Sequence, residues 1–209
     1  MGNQLAVPGD GWRYPCKIEI LHGPSFMQTE LRSDLDDWKK SFRDELSSHL
    51  ATLVLDQDIY GFAIEPSEDL SSMHFITCVG RESNLKGEVS GSRAWLDRRY
   101  CHVEWDGYLP PSDFGGSLER LNAISEKYHN LLIDSDTCEF TEDGNEFRDT
   151  WYAEILAVMI ELDKNGAFGK IWFKIISFSD FDHPIQKESF TRLNRDRALN
   201  DAESLFDIG

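Results

Sequence analysis

The chain has 209 residues, with 38 acidic against 21 basic side chains, a formal net charge of −17 at pH 7, 40% hydrophobic residues and 12% aromatic residues. That length predicts a single domain. Six Trp, six Tyr and thirteen Phe are too many for a disordered acidic chain, so a packed core is expected. No run reaches the ~20 apolar residues of a membrane span, and −17 argues against the basic face that a nucleic acid partner requires.

The N-terminus lacks the basic and apolar regions of a secretory signal, and Ala6 stands where a myristoylation signal carries Ser or Thr. Cys16, Cys78, Cys101 and Cys138 are widely spaced and form no C-x-x-C pair. They read as reduced, mostly buried thiols of a cytoplasmic protein.

Residues 1–15 contain Gly2, Pro8, Gly9, Gly11 and Pro15, show no period, and read as a flexible arm ahead of one domain at 16–209. Alternation broken by Gly23-Pro24 suggests an added β-hairpin at 16–31. Leu35, Trp38, Phe42, Leu46 and Leu50 recur every three or four residues and predict a helix from about Asp34 to Leu53, with Ser33 as its N-cap. Ile59 to Glu65 and Met73 to Val79 read as strands joined by a loop too short for a crossover, hence antiparallel. The first is apolar at both sets of alternate positions, which predicts a strand covered on both faces.

Arg99 to Trp105 reads as a third strand, and Ser117 as the cap of a second helix with Leu118, Leu121, Ile124, Tyr128 and Leu131 on its apolar stripe. A third helix is expected from about Glu146 to Lys164, stopped by Asn165-Gly166. Lys170 to Phe178 predicts the strongest strand, and residues 186–206 predict one or two short helices. The order predicts an α+β fold: one mainly antiparallel sheet with three to four helices packed on it.

Motifs of known chemistry are absent. His102-Val-Glu104 matches half of a zinc-deaminase signature, but the P-C-x-x-C half is missing, so a histidine with an adjacent carboxylate is the better reading. The acids after Asp134 do not fit a calcium loop, because Cys138 and Glu139 occupy its fifth and sixth positions. Asp180 and Asp182 follow the strongest strand and are the one carboxylate pair placed for acid–base or metal chemistry; capping of the next turn is their ordinary role. Arg93, Arg98 and Arg99, and again Arg192, Arg195 and Arg197, form two basic groups whose default reading is solvated ion pairs. Trp105 reads as a core lid or as an exposed aromatic anchor for a partner.

Several pieces in order resemble a bacterial family known as domain of unknown function 4303. They are Ile59-Tyr-Gly-Phe-Ala-Ile64, Arg99-Tyr-Cys-His-Val-Glu-Trp105, Leu162-Asp-Lys-Asn-Gly-Ala-Phe-Gly169, the Ser179-Asp180 exit and Ser189-Phe-Thr-Arg-Leu-Asn194. The resemblance covers roughly residues 34–206 and implies an α+β domain without established catalytic residues. By analogy it is similar to the small acidic immunity proteins that occlude a cognate toxin.

The charge is uneven. Between Asp134 and Asp163 lie ten acids and one base, −9 of the −17. The expectation is therefore a cytoplasmic binding protein without cofactor or metal, an immunity-type inhibitor of a basic protein such as a nuclease toxin. Asp134, Asp136, Glu139, Glu142, Asp143 and Glu146 would form its docking face, with Trp105, Asp180 and Asp182 as further contacts. The alternatives are a metal-dependent enzyme using Asp180 and Asp182, or an assembly module.

Overall fold

The computed structural model describes residues 29–105, 108–109, 111–179 and 181–202. The expected arm and most of the expected hairpin lie outside them. The fold is α+β, as expected. Its four-stranded sheet runs β3-β2-β1-β4, from Tyr108–Leu109 (β3), Phe75–Arg81 (β2), Ile59–Pro66 (β1) and Phe173–Ile176 (β4). β1 pairs antiparallel with β2 and parallel with β4, so the sheet is mixed. Six α-helices are described rather than three or four: Thr29–Leu53 (α1), Arg93–Tyr100 (α2), Gly115–Leu132 (α3), Glu142–Lys164 (α4), Pro184–Leu193 (α5) and Asp196–Ala202 (α6).

The helical periodicity of α1 holds, and Leu35, Trp38, Phe42, Leu46 and Leu50 are all buried. Ser33 is not its cap, because the helix already runs from Thr29. Thr29–Leu31, expected in a hairpin strand, form its first turn. The stripe of α4 is likewise buried through Phe147, Trp151, Ile155, Val158, Met159 and Leu162. This helix starts four residues earlier than expected, because Thr141 caps it by accepting the Gly144 N–H at 2.9 Å. At its far end Gly166 takes φ +77°, the left-handed region that stops a helix.

Ser117 does not cap α3, which begins at Gly115. The cap comes from another helix. Glu45 on α1 accepts the Gly116 and Ser117 N–H groups at 2.8 and 3.0 Å, placing a carboxylate at the positive end of the α3 dipole. Glu154 on α4 in turn binds Arg32 and Lys39 of α1, each at 2.6 Å.

Apolar side chains of α1, α3 and α4 cover one face of the sheet with Phe62, Ile64, Phe75 and Val79. The other face carries a second core built from Tyr60, Ala63, Cys78, Trp95, Tyr100 and Phe173 with Ala198 and Ala202 of α6. β1 is buried on both faces, as its composition predicts.

The expected strand at Arg99 to Trp105 does not form. Its first two residues end α2, and His102–Glu104 make a 3-10 turn. The reason is Trp105. Its ring lies on the cross-strand pair Gly61 and Gly80, where an added Cβ would come within 2.8 and 2.9 Å of it. Its Nε1–H donates to the Arg98 carbonyl at 3.1 Å. Only a chain that doubles back over the sheet brings the indole to that slot.

β4 is shorter than expected, and the alternation stops at its start: Ile171 belongs to the first core, while half-buried Trp172 packs against the second. Beside β1 on one side, β4 is closed on the other by side chains of α5 and of Asn194, its C-cap. Asn194 accepts the Lys174 N–H at 2.8 Å and donates to the Lys174 carbonyl at 2.7 Å. Ser189 accepts the Ile176 N–H at 2.9 Å. The two residues replace a neighbouring strand and deny the edge to other chains.

Candidate functional site

The acidic loop between α3 and α4 is tightly organised. Asp134 donates its N–H to the Glu139 carbonyl, and its carbonyl accepts from Cys138, whose φ is +59°. The Asp134 carboxylate accepts the Thr137 and Asp136 N–H groups at 3.0 and 2.9 Å. Those backbone bonds hold its carboxyl below the usual carboxylate range.

The loop walls a groove of about 510 Å3 together with Glu68, Asp69 and His129, floored by Ile133 and Phe140. Asp134, Asp136, Glu139, Glu142 and Asp143 are exposed, and none has an ion-pair partner among the described residues. Glu142 and Asp143 occupy the first turn of α4, where the helix dipole favours them. Glu146 is half-buried one turn further on. Of the four remaining acids of this run, Glu161 is exposed and three are paired. Asp149 pairs with Arg148 and His183, Glu154 with Arg32 and Lys39, and Asp163 with Lys174. Uncompensated charge therefore concentrates in the loop and the first turn of α4.

Trp105 does not serve as an exposed anchor. It is only 3% exposed and fills the glycine slot described above. Asp180 lies outside the described residues, and Asp182 is exposed. The cap of α5 is His183, which accepts the Ile185 N–H at 3.2 Å, rather than either Asp. Among the described residues no three His, Cys, Asp or Glu side chains converge as metal ligands.

The His102 ring pairs with a carboxylate, but with Glu65 on β1 rather than the nearby Glu104. Its Nε2 lies 2.9 Å from Glu65 Oε2, and Glu65 Oε1 accepts the Ser179 N–H at 3.2 Å. One carboxylate thus ties the 3-10 turn and the exit of β4 to the central strand. Burial pushes the Glu65 carboxyl up, but the bonds from His102 and Ser179 outweigh it and hold it below its ordinary value of 4.5. A depressed carboxyl stabilises the fold above its unfolded value, and that contribution is lost as pH falls through the folded value. Acid unfolding followed by circular dichroism is therefore expected to steepen below pH 4.5 in the native protein, and to flatten in Glu65→Gln; an unchanged acid limb would show that the pair contributes nothing.

Among the described residues thiol chemistry finds no support; Cys16 lies outside them. Cys78 is buried, and burial pushes its thiol up to about 12. Cys101 and Cys138 are exposed rather than buried as expected. Desolvation, Asp97 and Glu104 all raise the Cys101 thiol, the opposite of an activated nucleophile. The first basic group does resolve into ion pairs, Arg93 with Asp97, Arg98 with Glu88 and Arg99 with Glu82. Arg99 is not solvated, however. It is 4% exposed and lies over the rings of Trp95 and Tyr60 at 4.6 and 4.7 Å.

A family model described as a domain of unknown function, DUF4303, matches residues 36–195. The chain belongs to that family. The match runs from α1 to just past α5, so the DUF4303 region contains the whole sheet, the acidic loop and the Glu65–His102 pair. No curated protein and no solved structure matches the chain.

No helix among the described residues is long and apolar enough to cross a membrane.

Proposed function

We propose that the protein is a cytoplasmic binding protein of the immunity type, which docks a basic partner domain on the loop between α3 and α4 and blocks that partner's activity. The observation that carries this reading is the set of five exposed carboxylates without ion-pair partners among the described residues, Asp134, Asp136, Glu139, Glu142 and Asp143, in one loop and the helix turn that follows it, with Asp134 lining the adjoining groove. Further along α4 Asp149, Glu154 and Asp163 are paired within the chain and Glu161 stands alone among the described residues, so the loop and first turn hold the densest charge left for a partner. Such a patch steers a basic protein into encounter and fixes its orientation.

The test is affinity capture from the native source, followed by binding to the purified product of the adjoining reading frame. A basic protein is expected to be captured, with an affinity that falls as salt rises. Reversal of Asp136, Glu139, Glu142 and Asp143 to Lys should weaken binding at least ~100-fold. The same charge change at Glu104, Glu119, Glu126 and Glu161, all exposed and outside that loop and helix turn, should weaken it far less. Equal losses from both sets would leave only non-specific attraction, and capture of no basic protein would remove the proposal.

A further inference from the structure

We propose that the cleft between the end of α4, the start of β4 and the residues after α5 binds a small organic monoanion, a carboxylate carried on a planar apolar body. The cleft encloses about 510 Å3 and shares no lining residue with the acidic groove. That volume falls in the ~300–1,000 Å3 range of small-molecule sites. Two of its walls are cationic, Lys174 and Arg195; three are apolar, Ile171, Trp172 and Leu193; Asp163 is its one carboxylate.

Lys174 is 7% exposed, an unusual place for an ammonium group. Its Nζ donates to Asp163 at 3.0 Å and to the Ile171 carbonyl at 3.4 Å. An ammonium group has three N–H donors, so one remains without an acceptor among the described residues. Its backbone is clamped on both sides by Asn194, so the group is presented from a rigid strand. Arg195 is exposed and forms no ion pair among the described residues, whereas Arg192 in the same basic group is paired with Glu188 at 2.6 Å. In a chain of net charge −17 an uncommitted guanidinium beside a buried ammonium is a local reversal of sign.

Two cations against one carboxylate leave a single positive charge, which matches a monoanion better than a phosphate dianion. Trp172, stacked on Tyr60 at 5.7 Å, and Leu193 supply the surface for a planar body.

Isothermal titration of the full chain with 2-naphthoate tests the site. Saturable binding of one molecule per chain is expected, with a Kd on the order of 0.1–1 mM. The neutral isostere 2-naphthamide and the ring-free anion acetate should each bind at least ~10-fold more weakly. Arg195→Gln, at an exposed position, should weaken 2-naphthoate at least ~10-fold and leave 2-naphthamide unchanged. No saturable heat up to about 10 mM, equal binding of the amide, or an unchanged Arg195→Gln would each overturn the site. Tighter binding of 2-naphthyl phosphate than of 2-naphthoate would overturn its assignment to a monoanion.

Discussion

Gly144→Ala is expected to destabilise the protein by about 3–5 kcal/mol, although it adds one methyl group to a helix. A Cβ at that position would stand 2.0 Å from the Leu132 carbonyl oxygen and 2.9 Å from its carbon. The obstacle is backbone, so no rotamer change relieves it. The end of α3 and the start of α4 meet there through a shared set of bonds. Thr141 donates its N–H to Leu132 at 3.0 Å and its hydroxyl to Leu131 at 2.6 Å, and the same hydroxyl caps Gly144. Moving the helices apart to admit a methyl would break the cap of one and expose the last carbonyls of the other. Gly115→Ala is the control: nothing lies within 4 Å of an added Cβ, and alanine at the start of α3 should be neutral or stabilising by up to ~1 kcal/mol. Urea unfolding of both variants gives the comparison. A loss below about 1 kcal/mol for Gly144→Ala would mean that the two helix ends are not in such close contact.

Asn194→Ala is expected to cost about 3–5 kcal/mol. It removes the partner of both the N–H and the C=O of Lys174 and the donor to Phe190, all buried. Each buried backbone group left unpaired costs about 1–3 kcal/mol. Asn194→Asp keeps the size and the acceptor but replaces the donor by oxygen, which faces two carbonyls. It should therefore be nearly as damaging as alanine, which separates hydrogen bonding from packing. Both variants also uncover the edge of β4, so size-exclusion with light scattering should show more self-association than the native chain. Variants with the native size and native urea midpoints would show that Asn194 is dispensable as an edge cover.

These two residues also mark the boundary of what local sequence carries. The helices α1, α3 and α4 were legible because their apolar residues recur with the helical period, and that pattern needs no knowledge of what they pack on. The double-sided apolarity of β1 was legible for the same reason. By contrast, residues 99–105 alternate like a strand yet form the end of α2 and a 3-10 turn, because Trp105 is drawn onto the Gly61–Gly80 slot of a sheet made by other segments. Local alternation lost to tertiary packing there. Caps divided in the same way. Gly166 stops α4 by its own backbone freedom and was visible in advance. The cap of α3 comes from Glu45, 71 residues away, and no pattern near Gly115 reveals it.

The acidic run after Asp134 was evident as an excess of charge, because counting needs no coordinates. Which of its carboxylates remain uncompensated was not, since Arg32, Lys39 and Lys174 approach Glu154 and Asp163 from α1 and β4. The pairing of His102 with Glu65 was hidden likewise, with Glu104 nearer in the chain but Glu65 nearer in space. Composition and period therefore specified a packed, strongly acidic α+β domain, since they depend only on residues close along the chain. The long-range contacts selected which acids face solvent unpaired, which tryptophan is hidden and where two cations share a cleft, because charge and burial at a point in space are sums over residues that the chain keeps far apart.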